Sequence, residues 1–167
     1  MPATIQIAEL TQKTEVDNYI ALYSLDTSLL GGGVFYFTND VKVGGTGPIE
    51  FNGITYSPVD FETEGWEWNG TGKMPTPKIR VGNTNLYLTA LLQQFDDLLG
   101  TIFTRTRTFE RYLDDGSDPD PNMHFPIDVY RVDRKSTENK HFIELELATP
   151  IEQANRKLPG RQILRDV

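Results

Sequence analysis

The chain has no cysteine among its 167 residues, so it can form no disulfide, zinc–thiolate site or iron–sulfur cluster. It also lacks an apolar run approaching the ~20 residues that a membrane-spanning helix needs. The first ten residues, MPATIQIAEL, have neither a basic segment nor an apolar core and therefore predict no signal peptide. These absences favour a protein that is made and kept in the cytoplasm of the cell that synthesises it.

Basic residues and histidines are also scarce. Sixteen Lys and Arg face 24 Asp and Glu, and the formal net charge of -8 argues against nonspecific binding to nucleic acid or anionic lipid. The two histidines, His124 and His141, accompany no serine nucleophile elbow and no His-Glu-x-x-His motif. We therefore predict no enzyme, no catalytic residue, no cofactor and no metal ligand in this chain, and no nucleic-acid or membrane partner.

The residues that are present predict a mainly β fold. Residues 19–25 carry apolar side chains at both alternations and predict a strand that is buried on both faces. Asn52 and Gly53 join two strand-like runs and predict a type I′ hairpin. Further strands are predicted at 34–40, 78–83 and 102–109, and in a hairpin over 127–150 with a polar tip at 136–140. The 38% hydrophobic content suits one domain over 1–167, and a division into lobes at 1–83 and 84–167 is left open.

Two helices interrupt the strand pattern. A short amphipathic helix is predicted to begin near Thr4. A longer helix is predicted between an N-cap at Thr84 or Asn85 and a C-cap at Gly100, because six apolar residues recur there at helical spacing. The expected fold class is thus mainly β with one well-defined helix (α+β), arranged as an antiparallel β-barrel or sandwich.

The stretch EGWEWNGTGKMPTPKIRVGN at 64–83 offers several interpretations. Gly70 to Lys73 reads GTGK, which lacks the spacing of a phosphate loop, and Asn69 begins a glycosylation sequon that we attribute to chance. Trp66 and Trp68 would share one face of a strand. Paired aromatic rings can stack on sugars, but packing within the fold or against a partner is the favoured interpretation.

An acidic loop and a stripe of basic residues also allow more than one interpretation. The loop at 114–122 clusters acidic residues that could hold calcium, but its spacing is not that of an EF-hand, so a solvated acidic turn is favoured. A basic stripe is expected to pair with acidic residues of the same sheet or of a partner subunit, with nucleic acid as the less favoured alternative. The stripe comprises Arg105, Arg107, Arg111, Arg131, Arg134 and Lys135.

Several stretches taken together resemble the phage minor tail protein L family of lambda-like siphophages. They are FNGITYSPVDFETEGWEWNGTGKMPTPKIRVGN, LLQQFDDLLGTIFTRTRTFERYLDD, DRKSTENKHFIELELATPIE and KLPGRQIL, and their order and spacing match the family from about Asp17 onward. The resemblance implies a β-rich domain like those of phage tail hubs. It also implies a structural role in the tail tip of the virion, where such proteins surround the central hub and help initiate the tail tube.

Members of this family usually continue past the LPGRQ turn into a cysteine-rich region that binds an iron–sulfur cluster. This sequence stops at Val167 without a cysteine, so we expect that the cluster domain is absent and that the chain is either a truncated piece or a shorter relative.

The resemblance further implies other tail-tip and hub proteins as partners and a ring-forming oligomer in the virion. Interface residues are predicted from the enrichment of aromatic and arginine side chains at interfaces. They are Trp66, Trp68, Arg105, Arg107, Phe109 and Arg111. Two other functions stay open at this point: a carbohydrate-binding β-module that uses the tryptophans, and a cell-wall hydrolase that uses His124.

Overall fold

Nine strands form one mixed sheet in the computed structural model, which describes residues 17–43, 45, 47–67, 74–82 and 92–150. The strands are β1 (Tyr19–Asp26), β2 (Val34–Thr38), β3 (Ile49–Phe51), β4 (Ile54–Pro58), β5 (Phe61–Glu64), β6 (Lys78–Gly82), β7 (Ile102–Phe109), β8 (Asp128–Glu138) and β9 (Phe142–Ala148). Their order in the sheet is β3-β4-β2-β1-β7-β8-β9-β6-β5. Neighbouring strands are antiparallel except for the short parallel pair β2–β4.

Strand β1 lies inside the sheet, between β2 and β7, and is buried on both faces, as its sequence predicts. Ala21 and Tyr23 pack into one core, whereas Ile20 and Leu22 pack into a second core on the opposite face. All four side chains are at most 6% exposed. Because alternate residues of a strand point to opposite faces, a run that is apolar at both alternations can join two cores.

The sheet curls so that its edge strand β5 packs over the face that carries Tyr23. The Phe61 ring of β5 lies 5.0 Å from that of Tyr23 and 5.3 Å from that of Phe37, centroid to centroid. Strands β5 and β2 nevertheless share no ladder, so the barrel is not closed. The predicted antiparallel barrel or sandwich is therefore corrected to a single open, mixed sheet, because the β2–β4 pair is parallel and the curl stops short of strand pairing.

The β3–β4 hairpin covers the opposite face of β1. Asn52 and Gly53 have φ angles of 54° and 70°, as a type I′ turn requires at both central residues, which confirms that prediction. The turn is held by Asp114, whose two carboxylate oxygens accept hydrogen bonds from the backbone N–H groups of Asn52 (2.8 Å) and Gly53 (2.7 Å). The acidic loop thus begins with a structural contact.

The prediction that the long helix continues to Gly100 is wrong. Residues 92–94 are helical, but a 3₁₀ turn follows at Asp96–Leu98, and both aspartates and Leu98 have positive φ angles. Left-handed backbone ends an α-helix at once. Leu92 and Leu98 are buried as the apolar stripe predicts, while Leu99 is 39% exposed. Instead of one well-defined helix, the described residues contain little helix.

Several predictions lie outside the described residues. They are the helix near Thr4, the part of the predicted long helix before residue 92, the sequon at Asn69, the GTGK sequence at 70–73, Trp68 and the LPGRQ turn. The division into two lobes stays a prediction, although the sheet interleaves strands from both halves of the chain. Among the described helices, none has the length and apolar character to span a membrane.

A close backbone approach at Gly116 gives the first prediction. A Cβ atom added there would lie 2.3 Å from the carbonyl oxygen of Arg111, which belongs to backbone and cannot rotate away. We expect Gly116→Ala to lower the free energy of unfolding by about 1–3 kcal/mol, the usual cost of overpacking. Gly33→Ala is the control, because its Cβ would meet no atom within 4 Å. Urea unfolding of both variants tests this, and equal stabilities would contradict the close approach.

Candidate interaction surface

Two of the predicted interface residues, Arg105 and Trp66, contact each other beside the β7–β8 pair. Arg105 of β7 faces Asp128 of β8 in the register of the sheet. Its Nε and Nη2 atoms donate hydrogen bonds to Asp128 Oδ2 at 2.9 and 2.8 Å, and its guanidinium carbon lies 3.7 Å from the centroid of the Trp66 ring. The side chain of Arg105 is only 11% exposed. This arginine is therefore held from two sides within its own chain.

The neighbouring arginines are more accessible. Arg107 Nε lies 3.4 Å from Asp128 Oδ2, and the Arg107 guanidinium lies over the Phe125 ring at 5.4 Å. The Nη1 atom of Arg111 lies 3.3 Å from Asp17 Oδ2. The pairs of Arg105 and Arg107 with Asp128 confirm the expectation that basic side chains of the stripe pair with acidic residues of the same sheet. Asp17, the partner of Arg111, lies before β1 and outside the sheet.

Phe109, also a predicted interface residue, packs in a small core with Tyr112 and Met123 and is 4% exposed. A ring so buried offers little surface to a partner while the chain keeps this conformation. An interface role for the six predicted residues stays a prediction.

The Trp66 ring packs within the fold. It meets Tyr130 edge-on with 5.5 Å between centroids, it borders the core that contains Phe103, and Arg105 covers one of its faces. Its indole N–H is buried and has no hydrogen-bond acceptor among the described residues. Packing, the favoured interpretation of this tryptophan, is what the structure shows. Trp68, its predicted companion on a sugar-stacking face, lies outside the described residues.

A second group of charges lies on the outer face of four adjacent strands, which we call the charged face. Each strand contributes residues of one sign, and the sign alternates from strand to strand. The members are Glu62 and Glu64 of β5, Lys78 and Arg80 of β6, Glu144 and Glu146 of β9, and Arg134 of β8. Opposite charges on neighbouring strands stabilise each other across the sheet.

Glu144 is the most enclosed member of the charged face. It is 8% exposed, and its carboxylate accepts hydrogen bonds from Ser136 Oγ at 2.7 Å and Arg80 Nη2 at 2.9 Å. Lys78 Nζ lies 3.4 Å away. The hydroxyl of Ser136 first, and then the guanidinium of Arg80, lower the pKa of Glu144 to about 2, since both stabilise the charged form.

The lowered pKa of Glu144 predicts a pH dependence of stability. An ordinary glutamate has a pKa of 4.5, so the unfolded chain binds a proton between pH 4.5 and 2 that the folded chain does not. The contribution of Glu144 is therefore fully present above pH 4.5 and is lost as the pH falls towards 2. We expect Glu144→Gln to flatten the fall of the unfolding free energy over this range.

Thermal or urea unfolding at several pH values would measure this dependence. Ser136→Ala should show part of the effect, because it removes one donor, whereas Thr137→Ala on the same strand should keep the original slope. A Glu144→Gln profile parallel to the original one would contradict this role of the carboxylate.

Acidic side chains of the loop at 114–122 make contacts within the fold. Besides the contact of Asp114 with the hairpin, Asp115 pairs with Lys42, and Asp120 Oδ1 accepts a hydrogen bond from the N–H of Asn122 at 2.9 Å. Within the described ranges, no group of three or more His, Asp or Glu side chains could hold a metal ion. The geometry agrees with an acidic turn, which is the favoured interpretation of this loop.

The histidines form no catalytic arrangement in the part of the chain that is described. His124 Nδ1 lies 2.8 Å from the carbonyl oxygen of Phe125, and the His141 backbone N–H donates to the Asn139 side chain. A cavity of about 170 Å³ opens between β2 and β5 near Phe35 and Phe61, and all its described lining side chains are apolar. Such a lining offers no polar group to orient a substrate.

Asp128 and Glu144 are not predicted as site residues from the sequence. Asp128 pairs with Arg105 and Arg107, and Glu144 pairs with Lys78 and Arg80 on the charged face. Asp128 begins the strand whose alternation is marked by Tyr130 and Val132, so its position on the face of Arg105 depends on the β7–β8 register. Glu144 alternates with buried Ile143 and Leu145. Matching the acidic alternation of FIELELA with the basic one of KIRVG was the signal that could have paired these strands.

Comparisons with known proteins agree with the resemblance. A model of the family described as phage minor tail protein L matches residues 28–167. The chain is also 26% identical, over 158 residues, to a protein of Escherichia phage lambda named tail tip protein L. That alignment covers 91% of this chain and 67% of the relative. Both comparisons support a structural role in a phage tail, and hence a place in the virion.

Proposed function

The chain belongs to the phage minor tail protein L family, and on that premise we propose that it is a structural component of a siphophage tail tip. In this proposal it assembles around the central hub and helps to initiate formation of the tail tube. The observation that carries the proposal is the family match, which spans residues 28–167 and includes eight of the nine strands. The name of the lambda relative, tail tip protein L, supports the location.

The proposed partners are other tail-tip and hub proteins, with a ring of copies in the virion. Around an axis, each copy of a ring presents two different surfaces that meet head to tail. The charged face and the partly exposed Arg107 and Arg111 provide polar contacts of the kind that set orientation and specificity at interfaces. The proposal includes no nucleic acid and no membrane.

An iron–sulfur cluster does not fit the residues of this chain. Such clusters are held by cysteine thiolates, and the sequence has no cysteine. The proposed function therefore assigns no cofactor to this chain and uses none.

Genetic removal of the chain tests the proposed function. A nonsense mutation in its gene, in the phage that encodes it, should abolish assembled tail tubes in electron micrographs of lysates. Supplying the chain from a plasmid should restore them. Normal tails in the mutant lysate, with the chain undetectable by mass spectrometry of purified virions, would contradict the proposal.

A further inference from the structure

The outer edge of β5 carries backbone groups that are turned away from the sheet. The Leu147 N–H donates to the Pro77 carbonyl, so residues 77, 79 and 81 bond towards β9 and residues 78 and 80 bond towards β5. The β5 residues whose backbone groups form hydrogen bonds with β6 are therefore Glu62 and Glu64. In agreement, the Phe61 carbonyl points away from β6 and accepts a hydrogen bond from Asn39 Nδ2 at 3.2 Å.

Thr63 follows the same alternation as Phe61, so its N–H and C=O also point away from β6. Among the described strands, none pairs with this edge. Unpaired strand edges are templates for the addition of another strand.

The charge of β5 adds a second, independent observation. Across the charged face the signs alternate from strand to strand, and the acidic strand β5 ends the series. Glu62 is 78% exposed and lies 3.7 Å from Arg80, whose other nitrogen is held by Glu144 at 2.9 Å. The acidic side chains of the edge strand are thus the least neutralised of the series, and the next strand in the pattern would be basic.

A groove of about 280 Å³ lies beside these side chains. It is lined by Glu62, Thr63, Glu64, Lys78, Arg80 and Glu144. Three carboxylates and two cations give this lining a formal charge of -1, and Lys78 and Arg80 are already engaged with Glu144. The groove therefore has room and charge for an additional cationic side chain.

We propose that the edge of β5 is the docking site for an extended segment of a neighbouring tail protein that carries Lys or Arg at alternate positions. The segment adds to the sheet through the backbone groups of Thr63, and its basic side chains meet Glu62 and Glu64. This inference rests on the proposed function, because it names the chemistry of one of the partners proposed there.

A second copy of this chain fits the site poorly through its own edge strand. The opposite edge of the sheet is β3, whose outward residue between buried Ile49 and Phe51 is the exposed acidic Glu50. Pairing β3 of one copy with β5 of another would set Glu50 against Glu62 or Glu64. Like charges that face each other across strands destabilise the pairing.

Binding of a model strand to the full chain tests the docking site. The probe is a fluorescein-labelled peptide of alternating valine and lysine, measured by anisotropy, with an alternating valine and glutamate peptide as comparison. We expect the basic peptide to bind and the acidic one not to bind. The double variant Glu62→Lys with Glu64→Lys should weaken binding by about tenfold or more, because attraction becomes repulsion. Glu50→Lys on the opposite edge is the matched control and should change binding less than about twofold.

Backbone pairing is tested with two N-methylated forms of the basic peptide, one methylated at its odd positions and the other at its even positions. One of the two methylated peptides should lose binding, because only one set of N–H groups faces β5. The amide NMR shifts caused by the unmethylated peptide should centre on residues 61–64. Equal binding of both methylated peptides, unchanged binding to the double variant, or no binding at all would each overturn the proposal. Self-association of the chain that is abolished by the double variant would assign the edge to a second copy and would also overturn it. None of these outcomes depends on whether the chain is found in tails, so failure of the docking site is distinguishable from failure of the proposed function.

Discussion

Replacing Phe103 by alanine is expected to lower the free energy of unfolding by about 3–5 kcal/mol, the usual cost of removing a buried phenylalanine ring. Phe103 is 2% exposed and is among the largest fully buried side chains. Its ring lies 5.7 Å from that of Tyr23 and 6.0 Å from that of Phe37, centroid to centroid. Because small domains are stable by only about 5–15 kcal/mol, the variant would lose a large fraction of its stability.

Phe35→Ala is the matched control. Phe35 and Phe103 both pair with Leu25, from the two strands that flank β1, and both line the cavity between β2 and β5. Phe35 is 42% exposed, so its loss should cost only about 1 kcal/mol. Urea unfolding, followed by tryptophan fluorescence and circular dichroism, measures both. If Phe103→Ala and Phe35→Ala lowered the free energy of unfolding equally, the core would not be centred on the inner face of β7.

Removing the carboxylate of Asp128 is expected to have the second largest effect. Asp128→Ala would leave the guanidinium of Arg105, whose side chain is 11% exposed, without its anionic partner. Breaking a buried ion pair in this way typically costs 3–5 kcal/mol. The Asp128 side chain keeps 26% exposure, and Trp66 still covers the cation, so we expect about 2–3 kcal/mol.

The pair of Arg134 and Glu146 is the control for Asp128. Its nitrogen–oxygen distance of 2.6 Å is shorter than the 2.8 Å between Arg105 and Asp128, but Arg134 is 67% exposed. Exposed pairs contribute little, so Arg134→Ala should cost less than about 1 kcal/mol. A double-mutant cycle of Arg105→Leu with Asp128→Ala gives the coupling energy. If the coupling energy of Arg105 with Asp128 is no larger than that of Arg134 with Glu146, burial does not strengthen the Arg105–Asp128 pair.

Local chemistry made part of the fold predictable. The type I′ turn depends on two adjacent residues that tolerate positive φ, and Asn52–Gly53 supplies them. The burial of β1 on both faces follows from its unbroken apolar alternations. Both features are decided within a few residues, so a single sequence contains the information.

The end of the predicted helix shows where local patterns fail. The apolar stripe continues through Leu98 and Gly100 resembles a C-cap, but the chain turns earlier, at Asp96 and Asp97. Leu98 has a φ angle of 59°, which a leucine side chain disfavours. The backbone N–H of Gly100 donates to the Val132 carbonyl at 2.8 Å, so the turn is tied to β8. A contact this distant in sequence has no local signal.

The charged groups show the same limit. Arginines at alternate positions predict that Arg105 and Arg107 share a face, but their partner Asp128 depends on strand register. The β8–β9 register shifts between Val132 and Arg134 and again between Lys135 and Thr137, and Ser136 donates a hydrogen bond to Glu144. The curl that carries β5 over Tyr23 also depends on the whole sheet.

A cryo-EM map of the intact tail tip, from the phage that encodes this chain, would show where the chain lies in the virion. We expect density for the nine-stranded sheet in a ring around the tail axis, next to the central hub. Finding the chain in the virion but away from the hub, or finding a complete tail tip without it, would contradict the proposed role in the tail tip.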